Sequence, residues 1–326
     1  MKALFTWKEY DEVTIYKCHN HNCPHRIDKL NALNSNEKKL RKQRSSQFKI
    51  NYQYRDYHYS PCDLKVAEPA KPKVDLKRIY NDKNIFALIL TLHISYAITA
   101  RKTAHMLRNI WHISVSHQTV LNYVQTAAYY CHKFNLKNKG EIDDINAGDE
   151  TYVKVKGTWH YTWLFIGSVS RKICAYHFSD NRGSKAAITA MLETVRSARN
   201  KQNITLVTDG NPSYMAGIHF INKIKDELKL TIKKVIGLQN MDDESEEYRP
   251  YKQMIERLNR TYKYHMQAQN GFANVTGAVA KLVLFVTHYN FLRPHTALNY
   301  KTPIQMPELR KIDSLPGKWV KIISLA

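Results

Sequence analysis

Between Ile145 and Asp180 apolar and polar residues alternate along the chain. INAGDETYVKV, TWHYTWLFIGSVS and KICAYHFSD form three consecutive β-rich runs joined by short turns, the first at Lys156–Gly157. The period then changes. Ser184 to Ala198 places Ala187, Ala190, Met191, Thr194 and Val195 on one face of a helix. NITLVTD is a short buried strand that ends at Asp209, a helix covers Pro212 to Leu228, and LTIKKVIGL supplies a fifth strand. After an acidic loop, a helix spans about Tyr251 to Gln267. The order β-β-β-α-β-α-β-α over residues 141–307 predicts a mixed α/β domain whose first three strands are hairpin-connected.

Upstream, about 81 to 135, the pattern is helical. ITARKTAHMLRNIWHI carries Ala104, Leu107, Ile110 and Trp111 at helical spacing. After the break at Ser114–Ser116, Ser116 can cap a second helix, HQTVLNYVQTAAYY, with Val120, Tyr123, Val124 and Ala127 as its apolar stripe. Two helices joined by a tight turn suit a helix-turn-helix, which would point His117, Gln118, Thr119 and Asn122 outward to read bases or phosphates. An ordinary helical hairpin has the same pattern. SPCDLKVAEPAKPKVDLKR reads as a linker, assigned to residues 66–80 between an N-terminal segment 1–65 and the helices. Residues 308–326 form a C-terminal tail. The most apolar run in this reading, Ile85 to Ala100, is short of a membrane span and contains His93 and Ser95, so no membrane partner is expected.

Composition narrows the partner. Fifty Lys and Arg against 28 Asp and Glu leave a net charge of +22, spread over both halves of the chain. Such an excess calls for a polyanion, because neutralised phosphates release condensed counterions. Five scattered cysteines do not make a disulfide framework, and no apolar leader opens the sequence. A reducing cytoplasm, with the protein on the nucleoid, is the expected location. Cys18 and Cys23 sit among histidines in YKCHNHNCPHR, and His58 and Cys62 could complete a tetrahedral zinc site as His-x-x-x-Cys. A zinc ribbon would carry a second Cys-x-x-Cys, which is missing, so a degenerate, metal-free knuckle stays open. Lys38 to Arg55 interleaves seven basic residues with Phe48, Tyr52 and Tyr54, which suits phosphate contact and stacking as well as it suits a solvated helix face.

GDETYVKVKGTWHYTWLFI, LVTDGNPSY, QMIERLNRTYK and YNFLRPHTALNYKTP, in that order over about residues 145–307, closely resemble the DDE-type transposases of bacterial insertion sequences, relatives of retroviral integrases. The resemblance implies a ribonuclease-H-like catalytic domain in which Asp149, Asp209 and Glu256 hold two Mg²⁺ ions, or Mn²⁺. It further implies cleavage at the ends of an element, strand transfer into target DNA, and a homo-oligomer on double-stranded DNA. Forty-six residues separate Asp209 from Glu256, and the intervening QNMDDESEEYRP offers Asp242, Asp243, Glu244, Glu246 and Glu247 as other third acids. Glu256 is preferred because it precedes Arg257, Arg260 and Lys263 on one helix, with Lys263 two turns on, where a cation can hold a phosphate beside the metals. Lys154, Lys156, Arg182 and Lys185 are further candidate contacts to the DNA backbone. Arg293 and His295 follow a helix that Pro294 ends, and serve as a structural cap. The alternative function is a transposase-derived DNA-binding protein without activity.

Overall fold

The computed structural model describes residues 5–10, 12–18, 20, 22–31, 33, 38–39, 42–43, 53–79, 81–225, 227–235, 243–267 and 271–326. The chain divides into two compact units, Met1–Leu64 and Lys65–Ala326.

In the first unit β1 (Phe5–Tyr10), β2 (Val13–Cys18) and β3 (Gln53–Tyr57) pair antiparallel in the order β1-β2-β3, with α1 (Pro24–Asn31) between the second and third strands. Cys18 ends β2, and its side chain lies outside the described residues. Cys23 directly precedes α1. His58 follows β3 with Nε2 2.7 Å from Thr14 Oγ1, and Cys62 is exposed. Cys23, His58 and Cys62 do not form a cluster of three metal-ligating groups among the described residues. Most of the basic stretch from Lys38 to Arg55, including Phe48 and Tyr52, lies outside the described residues.

The second unit opens with α2 (Lys83–Leu90), which continues through residues 91–95 as a wider π-type turn, then α3 (Ala100–Trp111) and α4 (His117–Lys137). Three strands follow: β4 (Ile145–Val155), β5 (Thr158–Gly167) and β6 (Ile173–Ser179). Next come α5 (Ser184–Val195), β7 (Asn203–Thr208), α6 (Pro212–Ile224) and β8 (Lys229–Lys234). The chain ends with α7 (Asp243–Gln267), α8 (Val275–Thr287) and α9 (Leu315–Leu325). The sheet order is β6-β5-β4-β7-β8; β6, β5 and β4 run antiparallel, and β7 and β8 run parallel to β4. That order, with three hairpin-linked strands followed by two parallel ones, is the ribonuclease-H-like core. The β4–β5 hairpin closes through Lys156 at φ 48° and Gly157 at φ 83°. Both central residues of a type I′ turn need the left-handed region, which glycine enters without a Cβ clash.

The helices before the sheet share its core. Asn135 on α4 donates from Nδ2 to the Val283 carbonyl of α8 at 3.1 Å and accepts from Thr287 Oγ1 at 3.0 Å. Phe134 packs on Phe291 with ring centroids 4.9 Å apart. The segment Val275–Leu292 is the one described helix long and apolar enough to cross a membrane, but 83% of it is buried inside the fold, as befits a core helix. It exceeds Ile85–Ala100, the run picked out by sequence, in this respect. The C-terminal tail is helical, and Trp319 on α9 is fully buried, its Nε1 donating to Ser95 Oγ at 3.1 Å.

Two elements differ from the sequence reading. The buried face of α3 is Ala100, Thr103 and Leu107, while Ile110 and Trp111 are exposed. His112 turns the chain in the left-handed conformation, and the last turn of α3 is left without a covering element among the described residues. The acidic segment from Asp243 is the beginning of α7 rather than a loop. Carboxylates in the first turns of a helix complement its macrodipole, so this run extends the helix upstream of Pro250.

Candidate active site

The site grows from the register of the central strands. Asp149 and Glu150 lie in the middle of β4, and Asp209 follows directly on β7. The two strands pair parallel through Ile145↔Thr205, Asn146↔Leu206 and Ala147↔Val207. Two more residues along each strand bring Asp209 level with Asp149. Carboxylate oxygens of Asp149, Glu150 and Asp209 all lie within 4.8 Å of one another.

On the other side of β4, Gly148 leaves room for the Phe165 ring. A Cβ there would lie 2.3 Å from the Phe165 ring across the β4–β5 ladder. Gly148→Ala is therefore expected to destabilise the chain by roughly 1–3 kcal/mol through overpacking. An unchanged midpoint in urea unfolding would mean that Phe165 yields freely.

Helix α7 supplies the partners of Asp149. Lys252 Nζ is 3.1 Å from its Oδ1, and Asn259 donates from Nδ2 to its Oδ2 at 2.8 Å. Lys252, Glu256, Asn259 and Lys263 recur at i, i+4, i+7 and i+11, one face of the helix. Tyr262, fully buried, fixes α7 to the sheet with its hydroxyl 3.1 Å from Thr162 Oγ1. Burial pushes the Asp149 carboxyl up to about 6; Lys252 opposes that shift, and Glu150 and Asp209 add to it.

Glu150 has a different environment. Its oxygens accept from Tyr214 Oη at 2.6 Å, Arg182 Nε at 3.0 Å and Asn211 Nδ2 at 3.1 Å. Burial raises its pKa, but these hydrogen bonds outweigh burial and hold the group below its usual value. Arg182, a sequence candidate for DNA contact, is thereby engaged with Glu150. Asp209 accepts from the Asn211 backbone N–H at 3.0 Å, and Asn211 in turn caps α6.

Glu256 is exposed on α7 and lines one open cleft of about 500 Å³ with Asp149, Glu150, Asn259, Arg260 and Lys263. Its carboxylate is not among the three that converge. Of the alternative acids, Asp243, Glu246 and Glu247 are exposed in the first turns of α7, Asp242 lies outside the described residues, and so does the side chain of Glu244. Glu247 stands about 13 Å upstream of Glu256 at the rise of an α-helix. Arg257 is exposed on α7, outside the cleft lining, and Lys156 is exposed at the hairpin tip. His117 and Gln118 are exposed at the start of α4, with Asn122 half-buried and its Oδ1 accepting from Gln118 Nε2 at 2.9 Å. Sequence reasoning passed over Glu150, Lys252 and Asn259. The signal for the last two was present in their spacing around Glu256.

The sheet order and the acids meeting on β4 and beyond β7 define a ribonuclease-H-like core with a carboxylate cluster. Residues 146–282 match a DDE-domain family (DDE_Tnp_IS240). The chain is similar to the transposase for insertion sequence element IS257 in transposon Tn4003 of Staphylococcus aureus, 24% identical over 164 residues, which are 49% of this chain and 71% of that protein. Among solved structures, the HTLV-2 integrase catalytic core in complex with magnesium aligns with a TM-score of 0.34 and 16% identity, over 50% of this chain and 96% of that one. The Mos1 strand transfer complex aligns at 0.29 and 14% identity, over 89% and 85%. At such scores the fold assignment rests on the sheet order alone. The likeness to a DDE domain spans residues 146–282, and the curated protein it resembles is a transposase.

Proposed function

We propose that this chain cleaves phosphodiester bonds at the ends of a mobile DNA element and joins the exposed 3′-hydroxyls to target DNA. The observation that carries the reading is the meeting of Asp149, on β4, with Asp209, just beyond the neighbouring parallel strand, beside a cleft that Asp149 lines with Arg260 and Lys263. Similarity to the IS257 transposase supports it.

The residues fit a hard divalent cation. The donors are carboxylate oxygens, and three of them lie within 4.8 Å of one another, so a cation would relieve their mutual repulsion. A carboxylate has about four lone-pair sites, so two donors from α7 leave Asp149 capacity for a metal. Asp149, Asp209 and Glu256 would hold Mg²⁺ or Mn²⁺, which activates a nucleophilic oxygen and stabilises the leaving one. Asn259 orients Asp149, and Arg260 and Lys263 hold the DNA phosphate at the cleft mouth. Upstream, α3 and α4 form the helix-turn-helix, with His117, Gln118 and Asn122 turned to the duplex. Bringing two element ends together calls for more than one copy of the chain.

Glu256 is the third acid in this reading, because the Glu150 carboxylate is already engaged by Tyr214, Asn211 and Arg182. Glu256→Gln should cut Mg²⁺-dependent nicking about a hundredfold or more with an unchanged melting temperature. Glu150→Gln should lower the melting temperature instead. Loss of nicking by a stably folded Glu150→Gln, with Glu256→Gln active, would reverse the assignment. The test of the function itself is a cleavage and strand-transfer assay with Mg²⁺ or Mn²⁺, on labelled duplexes from the DNA flanking the gene. Nicking with joined products supports transposition, and tight binding without nicking under both metals leaves a DNA-binding relic.

A further inference from the structure

Beside the acid cleft the β4–β5 hairpin presents two large aromatic side chains to solvent, Tyr152 at 55% and Trp159 at 54% exposure. Their rings meet edge to face with centroids 4.9 Å apart. Lys154 Nζ lies 5.7 Å from the Trp159 centroid, and Lys263 Nζ lies 4.5 Å from that of Tyr152. Tyr264, exposed at 68%, borders the same cleft as Tyr152 and Lys263.

The position of these groups is set by the fold. Thr151, Val153 and Val155 alternate with Tyr152 and Lys154 and are buried, so the strand cannot turn the aromatic face inward. Lys154 pairs directly with Trp159 across the ladder. Backbone hydrogen bonds between Phe272 and both Lys154 and Lys156 hold the hairpin against the segment after α7. The result is a fixed apolar surface ringed by cations, and a packing role within the hairpin would not require that exposure.

We propose that Tyr152 and Trp159, with Lys154 and Lys263, form a stacking platform for unpaired bases of the DNA strand that enters the acid cleft. This rests on the DNA-processing function proposed above and specifies the form of its substrate. The chemistry selects the occupant. The cations match a phosphate backbone, and the rings match π-faces, which a paired base keeps inside the duplex and only an unpaired base offers. Tyr152 is three residues from Asp149 on β4, about 10 Å at the rise of a strand. Lys263 contacts Tyr152 and lines the cleft, so one cation serves both the platform and the strand leading to the acids. The platform therefore takes bases near the cleavage point after the duplex end has opened.

The test uses the full chain and three probes: fluorescein-labelled oligo(dT), a blunt duplex, and the same duplex ending in a short unpaired thymidine tail. Trp159→Ala should weaken binding of oligo(dT) and of the tailed duplex about tenfold while leaving the blunt duplex nearly unchanged. Trp159→Phe should retain most of the affinity, because a ring remains. A 2-aminopurine placed in the tail should be quenched on binding the wild type and less so on binding Trp159→Ala. Equal affinity of Trp159→Ala and wild type for oligo(dT) overturns the platform. So does an equal loss on all three probes, or a shift in sedimentation of the DNA-free chain with oligo(dT) affinity intact, which would make the pair a protein contact. Wild-type chain that binds no DNA of any form overturns the proposed function as well, which keeps the two failures apart.

Discussion

Asp149→Asn and Asp209→Asn should each lower metal-dependent DNA cleavage by about a thousandfold or more while DNA binding persists. Asparagine keeps the shape of the side chain and removes the charge that a divalent cation needs. DNA affinity comes instead from the basic surface, which neither substitution touches. Wild-type-like cleavage by either variant would remove the site from these residues. The pH dependence follows from the Asp149 environment. Burial raises its carboxyl to about 6, so in the metal-free chain a proton occupies this ligand at lower pH. Metal affinity, read by the free Mn²⁺ signal, should rise as pH increases through about 6. A flat profile between about pH 5 and pH 8 would place the metal elsewhere.

The second large effect concerns Lys281, on the buried face of α8. Its ammonium is in the core at 1% exposure, donating from Nζ to the His93 carbonyl at 2.5 Å. Burial lowers its pKa to about 7. His265 and His288, which also lie in this interior, are lowered to about 4 and about 3, chiefly by burial. Between about 7 and the unfolded value near 10.4, the unfolded chain binds more protons than the folded one. Stability therefore rises with pH across that window; the penalty is complete below about 7 and gone above about 10. A shift of this size corresponds to roughly 3–5 kcal/mol. Lys281→Met removes the penalty but leaves the His93 carbonyl without its donor, which offsets about 1–3 kcal/mol. Urea unfolding at about pH 6 should show the variant more stable by about 2 kcal/mol, with the slope above pH 7 lost. Parallel pH profiles for variant and wild type would show that Lys281 is not the titrating group.

The catalytic sheet was legible because strands announce themselves by period. Ile145–Val155 alternates buried and exposed residues beyond Glu150 as the sequence does, and Lys156–Gly157 has the composition that its turn requires. The acids on β4 and after β7 stood in motifs, so Asp149 and Asp209 could be named without coordinates. The partners of Asp149 could not. Lys252 and Asn259 reach it only because Tyr262 seats α7 across the sheet, and a helical periodicity does not say which neighbour its face will meet.

The start of α7 was misplaced for a local reason. Pro250 reads as the point after which a helix begins, yet the acidic residues upstream suit a helix N-terminus and carry it back to Asp243. Ile110 and Trp111 fit the stripe of α3 but lie outside it, since burial depends on the length of helix that a neighbour covers. Glu150 and Asp209 look alike as carboxylates in motifs. Three donors converge on the first, and its cluster neighbour Asp149 is pushed the opposite way by burial.

By itself, then, the sequence determined the order of strands and helices from Ile145 to Gln267 and the basic character that calls for a polyanion, because alternation and charge are properties of neighbouring positions; Asp149 and Asp209 were named from motifs that resemble a family. The tertiary structure alone decided that Asp209 stands level with Asp149, that Lys252 rather than solvent faces Asp149, and that Tyr152 and Trp159 stay uncovered at the cleft. Each of those depends on contacts between residues far apart in the chain, which the parallel pairing of β4 with β7 and the packing of α7 on the sheet create.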